Sequence, residues 1–349
     1  MNDNWKSFLL SQGAELLPGR CPHFGKPDEE KTAALQGHAL FDLSHYGLIR
    51  VSGEDAESFL QNQFCNDLRK VTRTHSQLNG YCSPKGRLLA LFRLFRAGDD
   101  YLMRLPREIL EPTLKRLRMF VLMSKVVLED ASDQLVTIGY AGADAERHLG
   151  DILGAAPTAV DNCLQADGLT LIRVRGAQPR FEIHGKPAAA QALWEKLAER
   201  ARPAGCDAWT LLEIRAGLPE VVTATQEAFV PQMLNLQALD ALSFTKGCYP
   251  GQEIVARMRY LGKLKRRLYL AHADTETCPQ PGDSLFAAGS ESGQGVGKVV
   301  QAQSLPGGGV ELLAVIEIAS AEQRPLHLFD AEGPELTLRD LPYAIDNDS

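Results

Sequence analysis

Residues 246–253, Lys-Gly-Cys-Tyr-Pro-Gly-Gln-Glu, form the densest group of side chains that could do chemistry. A helix is predicted over residues 254–258, and Pro250 suits its first turn because proline lacks an N–H that would have no partner there. The helix dipole and the ammonium of Lys246 would both favour the thiolate of Cys248. The stretch therefore predicts a reactive thiol. A tight turn around a buried cysteine is the alternative.

A second group lies on a helix predicted over residues 207–216, with Asp207 as its N-cap. Trp209 and Glu213 are four residues apart and therefore share a helix face. An indole plane beside a carboxylate suits a flat heterocycle, which can stack on the ring and donate hydrogen bonds to the acid. A core tryptophan with Glu213 at its rim explains the same spacing, and the sequence alone favours this second interpretation.

Polar side chains flank the 246–253 stretch on both sides. The amides of Gln232 and Asn235 could bind a ligand with mixed donors and acceptors, or they could satisfy loop backbone. Arg257 and the basic run 263–267 could hold an anionic tail, and a solvated strand face is an equal alternative. Glu253 and Arg257 are spaced to pair on one helix.

The composition is that of an ordinary globular protein, with 44% hydrophobic and 23% charged residues among 349. The net charge of −7 argues against direct nucleic-acid binding, which depends on phosphate neutralisation. Seven cysteines without a Cys-x-x-Cys pair indicate neither a zinc site, a disulfide framework nor a locally ligated cluster, and Cys21-Pro22-His23 is a weak metal pattern. No apolar run is long enough to span a membrane and the N-terminus is not a secretory signal, so we expect a cytoplasmic protein.

The order of predicted elements indicates an α+β protein in three parts. A β-α-β-β-α order, typical of ferredoxin-like lobes, occurs twice, and a small β-barrel follows. We predict lobes over residues 1–130 and 131–258 and a barrel over 259–349, with the first 37 residues irregular because prolines interrupt them. The predicted strands are 39–43, 46–51, 77–83, 87–96, 101–105, 126–128, 135–140, 170–174, 180–184, 242–245, 265–272, 284–287, 295–302 and 310–318. The predicted helices are one that follows the turn 52–55 and ends at residue 64, and 107–120, 143–153, 187–200, 207–216 and 254–258.

The 246–253 stretch resembles the signature Lys-Gly-Cys-aromatic-x-Gly-Gln-Glu of the YgfZ family at all seven specified positions. That family is related to the T-protein (aminomethyltransferase) of the glycine cleavage system and to a mitochondrial iron–sulfur assembly factor. The resemblance covers about residues 38–345 and implies a T-protein-like fold. It also implies tetrahydrofolate bound in a channel between the lobes, with Cys248 as the reactive thiol. The folate-binding residues that it implies are Tyr46, Trp209, Glu213, Gln232, Asn235, Lys246, Gln252, Glu253 and Arg257.

Two of these folate-binding residues, and one turn of the chain, depart from the family pattern or have a second explanation. T-protein relatives carry their pterin-binding acid directly before Ala-Gly-Leu-Pro, where this chain has Arg215, so Glu213 is an inexact match. Tyr46 replaces the tryptophan of several relatives, and a half-buried strand tyrosine explains it equally well. The turn over residues 81–87 carries no acid, although aminomethyl transfer requires a positioned acid or base.

The function implied by the resemblance is support of iron–sulfur cluster assembly or repair in client enzymes, including tRNA-methylthiolating ones. Its direct partners would be folate and those clients. The alternative is an enzyme, a folate-dependent one-carbon transferase or demethylase. A third possibility is a binding module in which the signature docks a protein partner.

Overall fold

The structure, a computed structural model, describes residues 1–16, 22–260, 262–288 and 295–345. The chain forms two compact units that are not continuous in sequence. The first unit comprises Met1–Phe59, Arg69–Gln77 and Phe92–Leu212. The second unit comprises Leu60–Leu68, Leu78–Leu91 and Glu213–Ser349. The three-part division at residues 130 and 258 stays a prediction.

The helices of the described residues are α1 (Asp3–Ser11), α2 (Pro27–Gln36), α3 (Ala56–Gln61), α4 (Leu110–Arg118), α5 (Ala145–Leu153), α6 (Pro187–Ala198), α7 (Cys206–Arg215), α8 (Gln252–Tyr260) and α9 (Ile318–Gln323). The strands are β1 (Ala39–Asp42), β2 (Tyr46–Ser52), β3 (Gln77–Cys82), β4 (Leu88–Ala97), β5 (Asp100–Pro106), β6 (Val127–Asp130), β7 (Val136–Ala141), β8 (Cys163–Ala166), β9 (Leu169–Val174), β10 (Arg180–Gly185), β11 (Arg202–Ala204), β12 (Arg266–Ala273), β13 (Ser284–Ala287), β14 (Gly297–Ser304), β15 (Val310–Glu317), β16 (Leu326–Leu328) and β17 (Leu336–Arg339).

These strands form three sheets. One has the order β11-β1-β7-β10-β9-β8 and lies in the first unit, where β1 pairs antiparallel with β7 and parallel with β11. The next has the order β3-β4-β5-β2-β6. In the second unit, β16-β13-β14-β15-β12-β17 form a sheet whose edge strands approach each other through a bridge between His327 and Glu335. This last sheet is therefore a nearly closed barrel, as predicted for the C-terminal residues.

The prediction of an irregular N-terminus is wrong, because α1 and α2 lie within the first 37 residues. The Oδ1 of Asn2 accepts from the backbone N–H groups of Asn4 and Trp5 and so caps α1. Pro27 occupies the first turn of α2, where a proline starts a helix rather than interrupting it. Trp5 is buried, and its Nε1 donates to Asp42 Oδ1 at 2.8 Å, so α1 is part of the core.

Two further local predictions are corrected. Helix α7 begins at Cys206, so Asp207 lies in its first turn and is not the N-cap. Residues 242–245 form no strand. Instead, the hydroxyl of Ser243 accepts from the backbone N–H groups of Thr245 and Lys246, and such a side-chain turn competes with strand pairing. Cys206 is disulfide-bonded, which the cysteine spacing did not indicate.

Across the described ranges of the chain, no helix combines the length and the apolar composition needed to cross a membrane.

Candidate functional site

In the signature, residues 246–251 form an irregular segment of the second unit, and the last two residues, Gln252 and Glu253, begin α8. The helix begins at Gln252, so Pro250 lies in the turn before it rather than in its first turn. Gly251 has φ +80°, and a Cβ there would lie 2.4 Å from the backbone oxygen of Ser83. The signature therefore packs so closely on the turn after β3 that only glycine fits at position 251.

Cys248 and Lys246 have opposite environments although they are two residues apart. The side chain of Cys248 is exposed and its thiol is reduced. Lys246 is 5% exposed; its Nζ donates to the backbone oxygens of Gln61, at 2.5 Å, and Phe64, and lies 5.2 Å from the ring centre of Tyr249. The signature is thus anchored by its lysine and tyrosine and presents its cysteine to solvent.

Two further thiols lie in the core of the same unit. Cys65 and Cys82 are both buried and reduced, on segments joined by a bridge between Phe64 and Tyr81. A hydrogen bond from the Cys82 thiol, opposed by burial, lowers the pKa of Cys65, and the Gly80 amide and Lys246 add to that effect. The hydrogen bond to Cys65, together with burial, raises the pKa of Cys82 well above its usual range. The charge of Lys246, which the sequence associates with Cys248, therefore acts on Cys65.

The amides before the signature bind backbone in the second unit. Gln232 Nε2 donates to Val255 O at 2.6 Å, and Asn235 Nδ2 donates to Leu268 O at 3.1 Å. Both side chains are buried. Their amide oxygens have no hydrogen-bond partner among the described residues, so each amide keeps one unused acceptor.

Arg215, which stands where the T-protein relatives place an acid, forms an ion pair of its own. Its Nε and Nη2 lie 2.6 and 3.1 Å from the two carboxylate oxygens of Glu311 on β15, which is buried. Arg339 also donates to that carboxylate, at 2.7 Å. The carboxylate of Glu213, two positions earlier, is buried too, and its role in binding folate stays a prediction.

The residues of α8 lie nearer the solvent. Gln252 is half-buried, whereas Glu253 and Arg257 are exposed. Glu253 and Arg257 form no ion pair with each other in the described part of the chain, which leaves both side chains accessible to a ligand. In the following basic run, Arg266 pairs with Glu317 at 2.6 Å on an exposed strand face.

In the first unit, the two aromatic residues predicted to contact folate, Tyr46 and Trp209, are both buried. The guanidinium of Arg104 lies 4.0 Å from the centre of the Tyr46 ring. The centres of the His45 and Tyr46 rings are also 4.0 Å apart. Trp209 has no exposed surface and packs against Phe41, which matches the core interpretation of its spacing. Its Nε1 has no hydrogen-bond partner among the residues that the structure describes.

Sequence reasoning missed a buried charge cluster in the first unit. Strands β4 and β5 place Arg93 opposite Arg104, and like charges at such a position repel. Glu182 on β10 offsets this, because its carboxylate accepts from Arg104 at 2.6 and 3.1 Å and lies 3.8 Å from Arg93. His184 lies 3.5 Å from the same carboxylate. No local spacing in the sequence predicts this cluster, because its members lie on strands that are far apart in sequence.

His45 lies next to this cluster and was also missed. Burial, and then the charge of Arg104, lower the pKa of His45 to about 3, so its imidazole is neutral at physiological pH. Both ring nitrogens are buried and have no hydrogen-bond partner within the described residues. A neutral imidazole beside Tyr46 offers one donor and one acceptor to a polar ligand.

The turn after β3 contains no acid, as the sequence indicates. Gly86 N donates to Ser83 O at 2.8 Å and Ser83 N to Arg87 O at 2.8 Å, which closes a tight turn. Arg87 donates to Ala228 O at 2.6 Å. The turn therefore offers a cation and backbone groups, but no side chain that could accept a proton at neutral pH.

Comparisons with known proteins agree on fold and family. Residues 22–243 match the family model described as the GCVT N-terminal domain. The chain is 35% identical over 309 residues to tRNA-modifying protein YgfZ of Edwardsiella ictaluri (strain 93-146), covering 88% of this chain and 93% of that protein. It is 32% identical over 314 residues to tRNA-modifying protein YgfZ of Colwellia psychrerythraea, covering 90% and 95%.

A solved structure shares the architecture along the whole length. Glycine cleavage system aminomethyltransferase T from Bartonella henselae superposes with a TM-score of 0.73 at 19% identity, covering 97% of this chain and 96% of that one. The predicted α+β, T-protein-like fold with a C-terminal barrel is thereby confirmed. On the match to these relatives and to the GCVT model, the chain belongs to the YgfZ family.

Proposed function

We propose that the protein binds tetrahydrofolate and supports the assembly or repair of iron–sulfur clusters in client enzymes, including enzymes that methylthiolate tRNA. The observation that carries most weight is the contrast inside the signature. Lys246 is buried and hydrogen-bonded, whereas Cys248 is exposed. A purely structural signature would have no need to present a thiol to solvent, and an accessible thiol can lose its proton and react with a client or a ligand as the thiolate.

The polar groups of each unit fit a reduced pterin. In the second unit, the oxygens of Gln232 and Asn235 are buried acceptors without donors among the described residues, and pterin N–H and amino groups are donors. In the first unit, His45 offers an unused neutral imidazole beside Tyr46. A bound folate would supply a carrier for one-carbon units, and the residues of this chain would hold its ring. Trp209 is a further proposed contact, although it lies in the core and would have to become accessible.

Calorimetric titration of the purified protein with tetrahydrofolate tests the cofactor. We expect saturable binding that Glu213→Gln weakens at least about tenfold, since a hydrogen bond to a charged group contributes about 1.5–3 kcal/mol. Glu276→Gln, at an exposed position of the same unit, is the matched control and should bind normally. Absence of binding to the folded wild-type protein would contradict the proposal and favour a module that docks protein partners.

The support of client enzymes is tested by complementation. Cells that lack the protein are supplied with wild type, Cys248→Ser or Cys278→Ser, and the activity of iron–sulfur enzymes and tRNA methylthiolation are measured. We expect Cys248→Ser to fail and Cys278→Ser, a half-buried thiol outside the signature, to succeed. Full complementation by Cys248→Ser would reject the role of the thiol.

The alternative is a folate-dependent one-carbon transferase, which the shared fold with an aminomethyltransferase favours. The acid-free turn over residues 83–86 counts against it, because the transfer needs a positioned proton donor or acceptor. Reconstitution of glycine cleavage with this protein as the sole T-protein distinguishes the two. We expect negligible formation of methylene-tetrahydrofolate, and robust formation would establish the alternative.

A further inference from the structure

We propose that His38, Asp144 and His148 of the first unit form a binding site for one divalent transition-metal ion. The site is separate from the signature, and the proposal goes beyond the proposed function. One potential ligand atom from each of the three residues lies within 4.8 Å of the others. Two imidazoles and a carboxylate are a ligand set that Zn²⁺, Co²⁺ and Fe²⁺ accept.

The backbone brings these residues together in a defined way. Asp144 is the N-cap of α5 and His148 lies four residues later, so both side chains lie on one side of its first turn. His38 directly precedes β1, whose antiparallel pairing of Ala39 with Ala141 sets it beside the start of the loop to α5. A Cβ on Gly142, at φ +152°, would lie 2.2 Å from the His38 ring, so a glycine is required for this approach.

The histidines are oriented as metal ligands commonly are. The Nδ1 of His148 is hydrogen-bonded to the hydroxyl of Tyr140 at 2.7 Å, which leaves Nε2 for an ion. Fixing one ring nitrogen through a second residue orients the imidazole and is typical of ligating histidines.

The half-exposed Asp144 can adjust its carboxylate, while His38 is more constrained. The Nε2 of His38 accepts from the Asp144 N–H at 3.1 Å and lies 3.7 Å from Asp144 Oδ2. Metal binding through that nitrogen would replace this one hydrogen bond. Arg147 pairs with Asp144 at 3.2 Å, and this competing cation predicts a modest affinity, in the micromolar range rather than tighter.

The test is calorimetric titration of the untagged full chain with Zn²⁺, in a Cys248→Ser background so that the exposed thiol adds no ligand. We expect one ion per chain and an affinity reduced at least tenfold by His148→Ala or by Asp144→Asn. Because Asp144 is half-exposed, the second variant keeps the test valid if the first fails to fold. Cobalt absorption spectra should show the same dependence on these residues.

Two further variants sharpen the result. Arg147→Gln should tighten Zn²⁺ binding several-fold, since it removes the cation that competes for Asp144. His272→Ala is the matched control, because His272 also lies beside an aspartate, Asp274, at 2.9 Å but has no second histidine. Binding that is absent in wild type, or lost in His272→Ala and retained in Asp144→Asn, would overturn the proposal.

Discussion

Both units bury charged side chains, and they stabilise the buried charge with different groups. In the first unit, the acid centre (Glu182, Arg93, Arg104 and His184) neutralises charge with opposite charge from other side chains. In the second unit, the lysine centre places the ammonium of Lys246 against the backbone oxygens of Gln61 and Phe64. The acid centre depends on side chains from separate strands. The lysine centre depends on backbone oxygens that surround a single lysine.

This difference explains how the signature, residues 246–253, can contain both a buried residue that anchors it and an exposed residue that could react. An ammonium held by backbone oxygens needs no carboxylate, so no acid has to be brought near the thiols of the second unit. The signature is fixed by Lys246 and Tyr249 while Cys248 remains exposed. Among the described residues, the charged partners of the acid centre, including Asp161 on Arg93, are buried or half-buried, and we expect the acid centre to affect stability and acid tolerance rather than chemistry.

The largest effect is expected from Glu182→Gln in the acid centre. Removing the charge of Glu182 takes away the carboxylate that Arg104 contacts at 2.6 Å and leaves Arg104 opposite Arg93, which keeps its ion pair with Asp161; such losses are about 3–5 kcal/mol. The free energy of unfolding in urea measures it. Glu54→Gln is the control, because its pair with Lys125 is exposed and should contribute less than about 1 kcal/mol. Equal effects of the two variants would contradict the distinction between the buried and exposed pairs.

Lys246→Met tests the lysine centre and should lower the free energy of unfolding by about 2–3 kcal/mol. The methionine fills a similar volume, so the loss reflects the two hydrogen bonds that the ammonium donates to the backbone oxygens of half-buried Gln61 and buried Phe64. Lys85→Met, at an exposed position in the turn after β3, should change stability by less than about 0.5 kcal/mol. If Lys246→Met proves as mild as its control, the lysine is not an anchor and the comparison fails.

Acid sensitivity of the first unit should depend on His45. Its pKa is lowered to about 3 in the folded protein, whereas an unfolded histidine has a pKa of about 6.5. The unfolded chain therefore takes up a proton first, and this part of the stability is present above pH 6.5 and lost as the pH falls. Between pH 7.5 and 5 the loss would reach about 2 kcal/mol, because the stability falls by about 1.4 kcal/mol per pH unit once the pH is well below 6.5.

His45→Phe removes this component while keeping a ring beside Tyr46. Both nitrogens that it deletes lack partners among the described residues, so the stability at pH 7.5 should change little. Urea unfolding at several pH values between 5 and 7.5 should give a shallower dependence for the variant. Identical slopes for both proteins would show that His45 does not resist protonation.

Local patterns predicted much of this fold, and long-range contacts account for what was missed. The period-two strands of the barrel and the helix after the signature appear close to their predicted bounds, because their signals lie within a few residues. The cap of α1, Asn2, is local, but the contact that places this missed helix in the core joins Trp5 to Asp42, 37 positions away. Lys246 was assigned to Cys248 by proximity in sequence, although its hydrogen-bond acceptors lie 182 and 185 residues away.

The thiols of the second unit provide the smallest expected change in stability and the sharpest contrast in reactivity. Cys248→Ser should alter the free energy of unfolding by less than about 0.5 kcal/mol, because the side chain is exposed. Cys65→Ser should cost about 1–3 kcal/mol, since it places a hydroxyl in an apolar core. In the native wild type, site-resolved alkylation should modify Cys248 at least about 100-fold faster than Cys65 or Cys82, which react only when the unit opens. Half-buried Cys278 should fall between them. If Cys65 is alkylated as fast as Cys248, the lysine centre is not a closed core, and the signature does not separate an anchored end from a reactive one.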